Sequence, residues 1–259
     1  MTTPTRAAAT VLLLRDGPGC IEVFLVQRNR RSGFLPNAWV FPGGRVDAAD
    51  FTVPATGVET LAEKLGLTVD LAAAYGVAAV RETWEEARLW VGGGPAPIGD
   101  FAGSSVDVNA LVPWSWWVTP EVEPKRFDTR FFAVAADGPG QHDDQETVAS
   151  GWFQPVDVLG RGVGFPIAPP TWWTLYELAG QVDVASALRW AAARRVARIQ
   201  PILNFGEGGI ELWLPGHPKH PDPGVDGLPH HVLYDSGRWV AWRDGQRLGD
   251  VFVLSPDLG

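Results

Sequence analysis

Cysteine is almost absent. The 259-residue chain carries one, Cys20, so an intrachain disulfide is excluded, and no ladder of Cys and His suggests a zinc module. That usage fits a reducing compartment, and a cytoplasmic location is expected. Long apolar runs are lacking as well. The N-terminal MTTPTRAAATVLLL is interrupted by Arg15-Asp16 and has no long apolar segment followed by a cleavage site, so it reads as a strand. No other run reaches membrane-spanning length, and no membrane partner is expected. Basic charge is short too: a formal net charge of −9 argues against a duplex nucleic-acid partner, which needs a basic surface to meet phosphate. A small polyanion held through metal ions stays compatible with that charge.

What the chain does have is apolar mass. A hydrophobic content of 46% is ample for a large core, in one large domain or two small ones. Its 13 tryptophans, several in pairs such as Trp116-Trp117 and Trp172-Trp173, are read first as core packing and second as an aromatic pocket.

Chemistry concentrates in AAVRETWEEARLWV, Ala78–Val91. A helix advances about 100° per residue, so Glu82, Glu85 and Glu86 at i, i+3 and i+4 share one side. Val77, Val80, Trp84, Ala87 and Val91 fall roughly opposite, so the helix can bury one side and hold three carboxylates at a cleft edge. Clustered carboxylates repel unless a cation sits among them, and oxygen-only ligation suits Mg²⁺ or Mn²⁺. The same spacing also serves a solvated acidic face with an ordinary Arg81–Glu85 ion pair.

The flanking chain supplies context. Ala7–Arg15 and Ile21–Gln27, joined by Asp16-Gly17-Pro18-Gly19, read as a hairpin. The basic cluster Arg28-Asn29-Arg30-Arg31 is either a solvated loop or a contact for substrate phosphate, and Gly43 and Gly44 permit close backbone approach to a ligand. Within Phe51–Asp70, Val58–Leu65 is an expected helix stopped by Gly66, packed as a lid or as surface elaboration. Asp70 is an expected cap for the next helix, with Gly76 a candidate break. Val108–Thr119, Arg130–Ala136 and Thr147–Phe153 are strand-like, with Gly138–Gln145 a polar link. Trp172–Ala179 and Val184–Val196 form an expected helical pair. Gln200–Phe205, Ile210–Leu214, His231–Tyr234, Arg238–Trp242 and Asp250–Leu254 read as strands, the last three in β-hairpins. His217, His220, His230 and His231 have no fixed metal-ligand spacing and are left out of the site.

Gly44, the acid Asp50 six residues on, and Arg81-Glu82-Thr83-Trp84-Glu85-Glu86 together resemble the signature of the Nudix hydrolases. Two departures stand out: about two dozen extra residues before Arg81, and Arg88 in the place of a glycine, which implies a helix running on through Leu89–Val91. FLVQRNRRSGFLPNAWVFPGGRVDAADF, Val118-Thr119-Pro120 with Arg126–Phe132, and Leu212–Gly216 further resemble the branch containing a coenzyme A and acyl-coenzyme A diphosphatase.

The resemblance implies an α/β/α sandwich with a mixed sheet. The Nudix domain would span residues 1–165, with an insertion at about 51–70 inside the signature. A C-terminal extension, 166–259, would add two helices and then β-hairpins. It also implies Mg²⁺ or Mn²⁺ on Glu82, Glu85 and Glu86, with Arg81 orienting a glutamate. Glu146 is the leading candidate base, rivalled by Glu85 and Asp144. Asp47 and Asp50 are second-tier candidates for the metal and phosphate site, with a plain surface turn as the alternative reading. Substrate would meet Gly43, Gly44, Arg28, Arg30 and Arg31. The implied substrate is a nucleoside diphosphate linked to another moiety, coenzyme A or its acyl derivative first. A nucleotide sugar or dinucleotide, or a silent ligand-sensing fold, are the alternatives. The expected partner is that small molecule, with a homodimer as a candidate assembly.

Overall fold

The computed structural model describes residues 3–30, 35–98, 101, 105–161, 165–206, 209–225, 227–235 and 238–251. The chain opens with the expected hairpin, β1 (Arg6–Gly17) and β2 (Cys20–Arg28), closing at the Gly17–Cys20 pair around Pro18-Gly19. Gly19 sits at φ +77°, a conformation a side chain disfavours. Two short strands follow, β3 (Trp39–Val40) and β4 (Gly43–Arg45), and then a 3₁₀ turn at Ala48–Phe51.

The segment 51–70 is a compact elaboration. It holds β5 (Ala55–Thr56), which pairs with β6 (Val106–Asp107), and α1 (Val58–Leu65), which ends on Gly66 as expected. Val58, Leu61, Ala62 and Leu65 of α1 are buried beside the central helix α2 (Val69–Ala87). Among the described residues, none from 51–70 lines the cleft described below; α1 packs its apolar side into the core it shares with α2.

Three expectations for α2 are corrected. Thr68 is the N-cap, its hydroxyl accepting the Leu71 N–H, and Asp70 lies in the first turn. The helix does not break at Gly76, because that glycine serves packing: a Cβ there would stand 2.7 Å from Val108 Cγ1. The helix also stops at Ala87. Arg88 takes the left-handed conformation, φ 53° and ψ 30°, and its N–H reaches Trp84 O at 3.2 Å. An arginine thus occupies the turn position that a glycine fills without strain, and Leu89–Val91 leave the helix axis.

The main sheet runs β10-β7-β8-β1-β2-β3, with β4 also on β1 and β9 also on β2. Its remaining strands are β7 (Val112–Val118), β8 (Phe127–Ala135), β9 (Thr147–Phe153) and β10 (Arg198–Ile199). β1–β8 and β10–β7 are parallel and the other pairs antiparallel, so the sheet is mixed as expected. Val11–Leu14 of β1 are buried on both faces, which is why that stretch is an unbroken apolar run. Val11 and Leu13 pack toward α1 and α2; Leu12 and Leu14 pack the other way.

That other side is covered by α4 (Pro169–Ala179) and α5 (Val184–Ala193), after a short α3 (Pro155–Gly160) too brief to show helical periodicity. Trp114, Trp172, Trp173, Leu175 and Leu178 fill this second core. Each such side chain contributes about 1.5–3 kcal/mol on burial. A clamp ties the layers: Arg194 bonds Glu177 Oε1 at 2.7 Å and Trp114 O at 2.6 Å, while the Trp114 indole donates to Glu177 Oε2 at 2.7 Å. An antiparallel sheet completes the chain: β11 (Ile202–Gly206), β12 (Gly209–Trp213), β13 (His231–Asp235), β14 (Arg238–Arg243) and β15 (Gln246–Val251). The strand expected at Asp250–Leu254 therefore begins earlier, and residues 252–254 lie outside the described residues. Ile210, Leu212, Val232 and Ala241 add to the second core.

Candidate active site

β4 lies along β1 in the register Thr10–Gly43 and Ala9–Gly44, and α2 crosses beside it. The approach is too close for side chains at Gly43 and Gly44. A Cβ on Gly44 would run into the Glu82 carboxylate, and one on Gly43 into the backbone of Ala9. Gly43 N–H donates to Glu86 Oε2 at 2.9 Å. The paired glycines thus set two helix carboxylates against backbone.

Those carboxylates are poorly compensated. Burial pushes the Glu82 carboxyl up to about 7, against the lowering charge and hydrogen bond of Arg81, with Glu85 and Glu146 adding repulsion. Burial likewise pushes Glu86 up to about 8; the Gly43 N–H and Arg28 oppose this, and Glu82 and Glu146 add to it. Arg81 cannot neutralise them all. Its Nη1 donates to Glu82 Oε1 at 2.8 Å and Glu85 Oε2 at 3.0 Å, while Nε and Nη2 fork onto Asp50 at 2.8 and 3.0 Å. Burial alone would lower the guanidinium's pKa, and Asp50 and Glu82 more than reverse that.

Asp50 is not the surface-turn acid considered from sequence. It is 1% exposed, accepts the Asp47 N–H at 2.7 Å and closes the 3₁₀ turn while gripping Arg81. Sequence reasoning missed this pairing, although an acid six residues after Gly44 was its visible trace.

A cleft of about 560 Å³ opens in front of these groups. Gly43, Gly44, Arg81, Glu82, Glu85 and Glu146 line one end, together with Arg28 and Asp47. Glu86 lies behind Gly43, buried and off the lining. Of the other proposed contacts, Arg30 is exposed and off the lining, and Arg31 lies outside the described residues. Glu146 is held by the turn before β9: its N–H donates to Asp143 Oδ2 at 3.1 Å, and its carbonyl accepts the Asn29 N–H at 2.9 Å. Asp143 was not singled out in the sequence, although an aspartate heading DDQET is a turn-forming residue type. Burial would raise its carboxyl, but bonds from Thr147, Glu146 and Gln145 hold it below the usual range. Asp144 is exposed and off the lining, paired with His142 Nε2 at 3.0 Å. Arg45, on the lining beside Gly44, was missed too.

Among the described residues, no three His, Cys, Asp or Glu side chains already form a metal cage. The C-terminal histidines are stacked instead: His217 on Trp213 at 5.1 Å and His231 on Trp242 at 6.3 Å between ring centroids. No helix among the described residues is long and apolar enough to cross a membrane.

The model of the NUDIX domain matches residues 4–172. The chain belongs to the Nudix family. Among Nudix relatives, the acyl-coenzyme A diphosphatase NUDT19 of Gallus gallus is 28% identical, over 88% of this chain and 79% of that one. The Homo sapiens protein of the same name is 26% identical, over 82% and 72%. A crystal structure of a NUDIX hydrolase from Alicyclobacillus acidocaldarius superposes with a TM-score of 0.58 at 28% identity, covering 72% of this chain and 96% of that one. The Nudix match ends at residue 172, just inside α4, so β10 and β12 lie outside it.

Proposed function

We propose that this protein is a metal-dependent hydrolase of a nucleoside diphosphate linked to another moiety, with coenzyme A or an acyl-coenzyme A as that substrate. One observation carries the reading: half-buried Glu82 and buried Glu86 are under-compensated carboxylates set against the Gly43-Gly44 backbone, Glu82 on the lining at the charged end of a cleft and Glu86 just off it.

The donor set fits Mg²⁺ or Mn²⁺. All its atoms are oxygen, and its charge exceeds what Arg81 supplies. When bound, the metal neutralises charge on the non-bridging phosphate oxygens and lowers the pKa of the attacking water. Glu82, Glu85 and Glu86 would hold it. Arg81 orients Glu82 and Glu85, and Asp50 orients Arg81. Glu146, on the same wall, takes the proton from the water as its oxygen bonds to phosphorus and the bridging P–O bond breaks. Gly43 and Gly44 offer backbone to the phosphates. Arg28 is close enough to Glu86 to act on its charge, so it belongs with the diphosphate.

The substrate choice is supported by the names of the Gallus gallus and Homo sapiens relatives. A panel of coenzyme A, acyl-coenzyme A, nucleotide sugars and dinucleotides with Mg²⁺ or Mn²⁺, read by mass, tests it. Coenzyme A should give 3′,5′-ADP and the phosphopantetheine half. Cleavage of nucleotide sugars or dinucleotides with coenzyme A untouched overturns the substrate, and binding without any cleavage overturns the enzyme in favour of a sensor.

A further inference from the structure

Among the described residues, the cleft is charged at one end only: its ionisable lining comes from β2, from β4 and the turn after it, from α2 and from the turn before β9, and the rest of the wall carries none. Its floor is Ala8 and Thr10 of β1 beside Thr129 and Phe131 of β8, paired in the parallel register Ala8–Thr129 and Thr10–Phe131. Three of these four are small, which leaves a slot. Trp117 and Phe127 line it further, as do Pro169, Pro201 and Leu212. Pro201 and Leu212 lie past residue 172, so the wall is completed by chain that the family match does not reach.

We propose that this uncharged slot seats a neutral amide-and-alkyl arm of pantetheine type attached to the diphosphate, and that Phe127 and Leu212 set how bulky an arm is accepted. The inference rests on the diphosphate reading of the charged end. A neutral arm can lie along apolar walls while its few amides meet the hydroxyls of Thr10 and Thr129. A sugar offers a hydroxyl at nearly every carbon, and seating it against Phe127, Phe131 and Leu212 strips those groups of water without replacing their partners. Because the slot and the carboxylates share one cleft, an arm and its diphosphate can bind together.

The test separates slot from chemistry by using S-octanoyl pantetheine, which has the arm and no diphosphate. Calorimetric titration of the full chain should show binding that coenzyme A displaces. Phe127→Ala and Leu212→Ala should each weaken it by about tenfold or more, the scale expected when a large apolar contact is lost. Phe127 is half-buried at the start of β8, so its variant keeps the inference testable if Leu212→Ala, deeper in the core, fails to fold. Absence of binding, or equal binding in wild type and a folded Phe127→Ala variant, overturns the slot. If the arm binds as expected while no diphosphate is cleaved, the catalytic reading fails and the slot stands. If coenzyme A is cleaved while the arm neither binds nor responds to Phe127, the slot fails alone.

Discussion

Replacing Asp50 with alanine should be far costlier than its place in a turn suggests. Its carboxylate is 1% exposed and accepts three bonds, two from the Arg81 fork and one from the Asp47 N–H. Arg81 is itself only 13% exposed, so removing Asp50 leaves a buried cation short of its best partner. Breaking such a pair costs about 3–5 kcal/mol. The low end applies because Glu82 and Glu85 remain bonded to Arg81. At roughly 2 °C per kcal/mol for a chain of this size, the melting temperature should fall by about 6 °C. Glu85→Ala is the internal control. It removes another Arg81 bond, but Glu85 is 48% exposed, and such pairs are worth about 0–1 kcal/mol. Urea denaturation of both variants, followed by far-UV circular dichroism, measures the difference. A loss under about 1 kcal/mol for Asp50→Ala, or an equal loss for both variants, would refute the claim that Asp50 anchors Arg81.

Arg88→Gly should stabilise by about 1 kcal/mol, because glycine adopts the left-handed turn without strain; an unchanged or lower melting temperature would contradict that. Glu85→Gln and Glu86→Gln should each lower turnover about a hundredfold or more with the fold intact, measured at saturating Mg²⁺ on whichever diphosphate is cleaved fastest, and near-wild-type turnover removes that residue from the metal site. pH gives an independent reading of the same carboxylates. Glu82 and Glu86 hold protons in the metal-free fold up to about 7 and about 8, whereas the unfolded chain releases them near 4.5. The native state therefore binds more protons, so the stabilisation is full below about 4.5 and is lost as pH rises through about 8. Urea midpoints in chelator should fall across that window and recover with Mg²⁺; a midpoint that rises with pH would reverse the sign.

Local chemistry wrote several elements into the sequence. Pro18-Gly19 closes the hairpin, Gly66 ends α1, and the spacing of Glu82, Glu85 and Glu86 puts the carboxylates on one side of α2. Each depends on residues within a turn or two of one another, where geometry is fixed by the backbone period. The mixed α/β sandwich followed from the order of those elements together with the Nudix resemblance.

Tertiary structure decided the rest. Helical preference gave no reason for Arg88 to turn left-handed; the requirement that Leu89 and Val91 leave α2 for the core did. α4 and α5, which read as an appended pair, became the second layer because the sheet has two apolar faces and they, together with the C-terminal sheet, cover one of them. Arg81 found Asp50 across 31 positions of chain, and the cleft drew its walls from residues as distant as Ala8 and Leu212. Periodicity carries no information at such separations: what brings these groups together is the burial of the whole sheet, and that is settled only when the chain has folded.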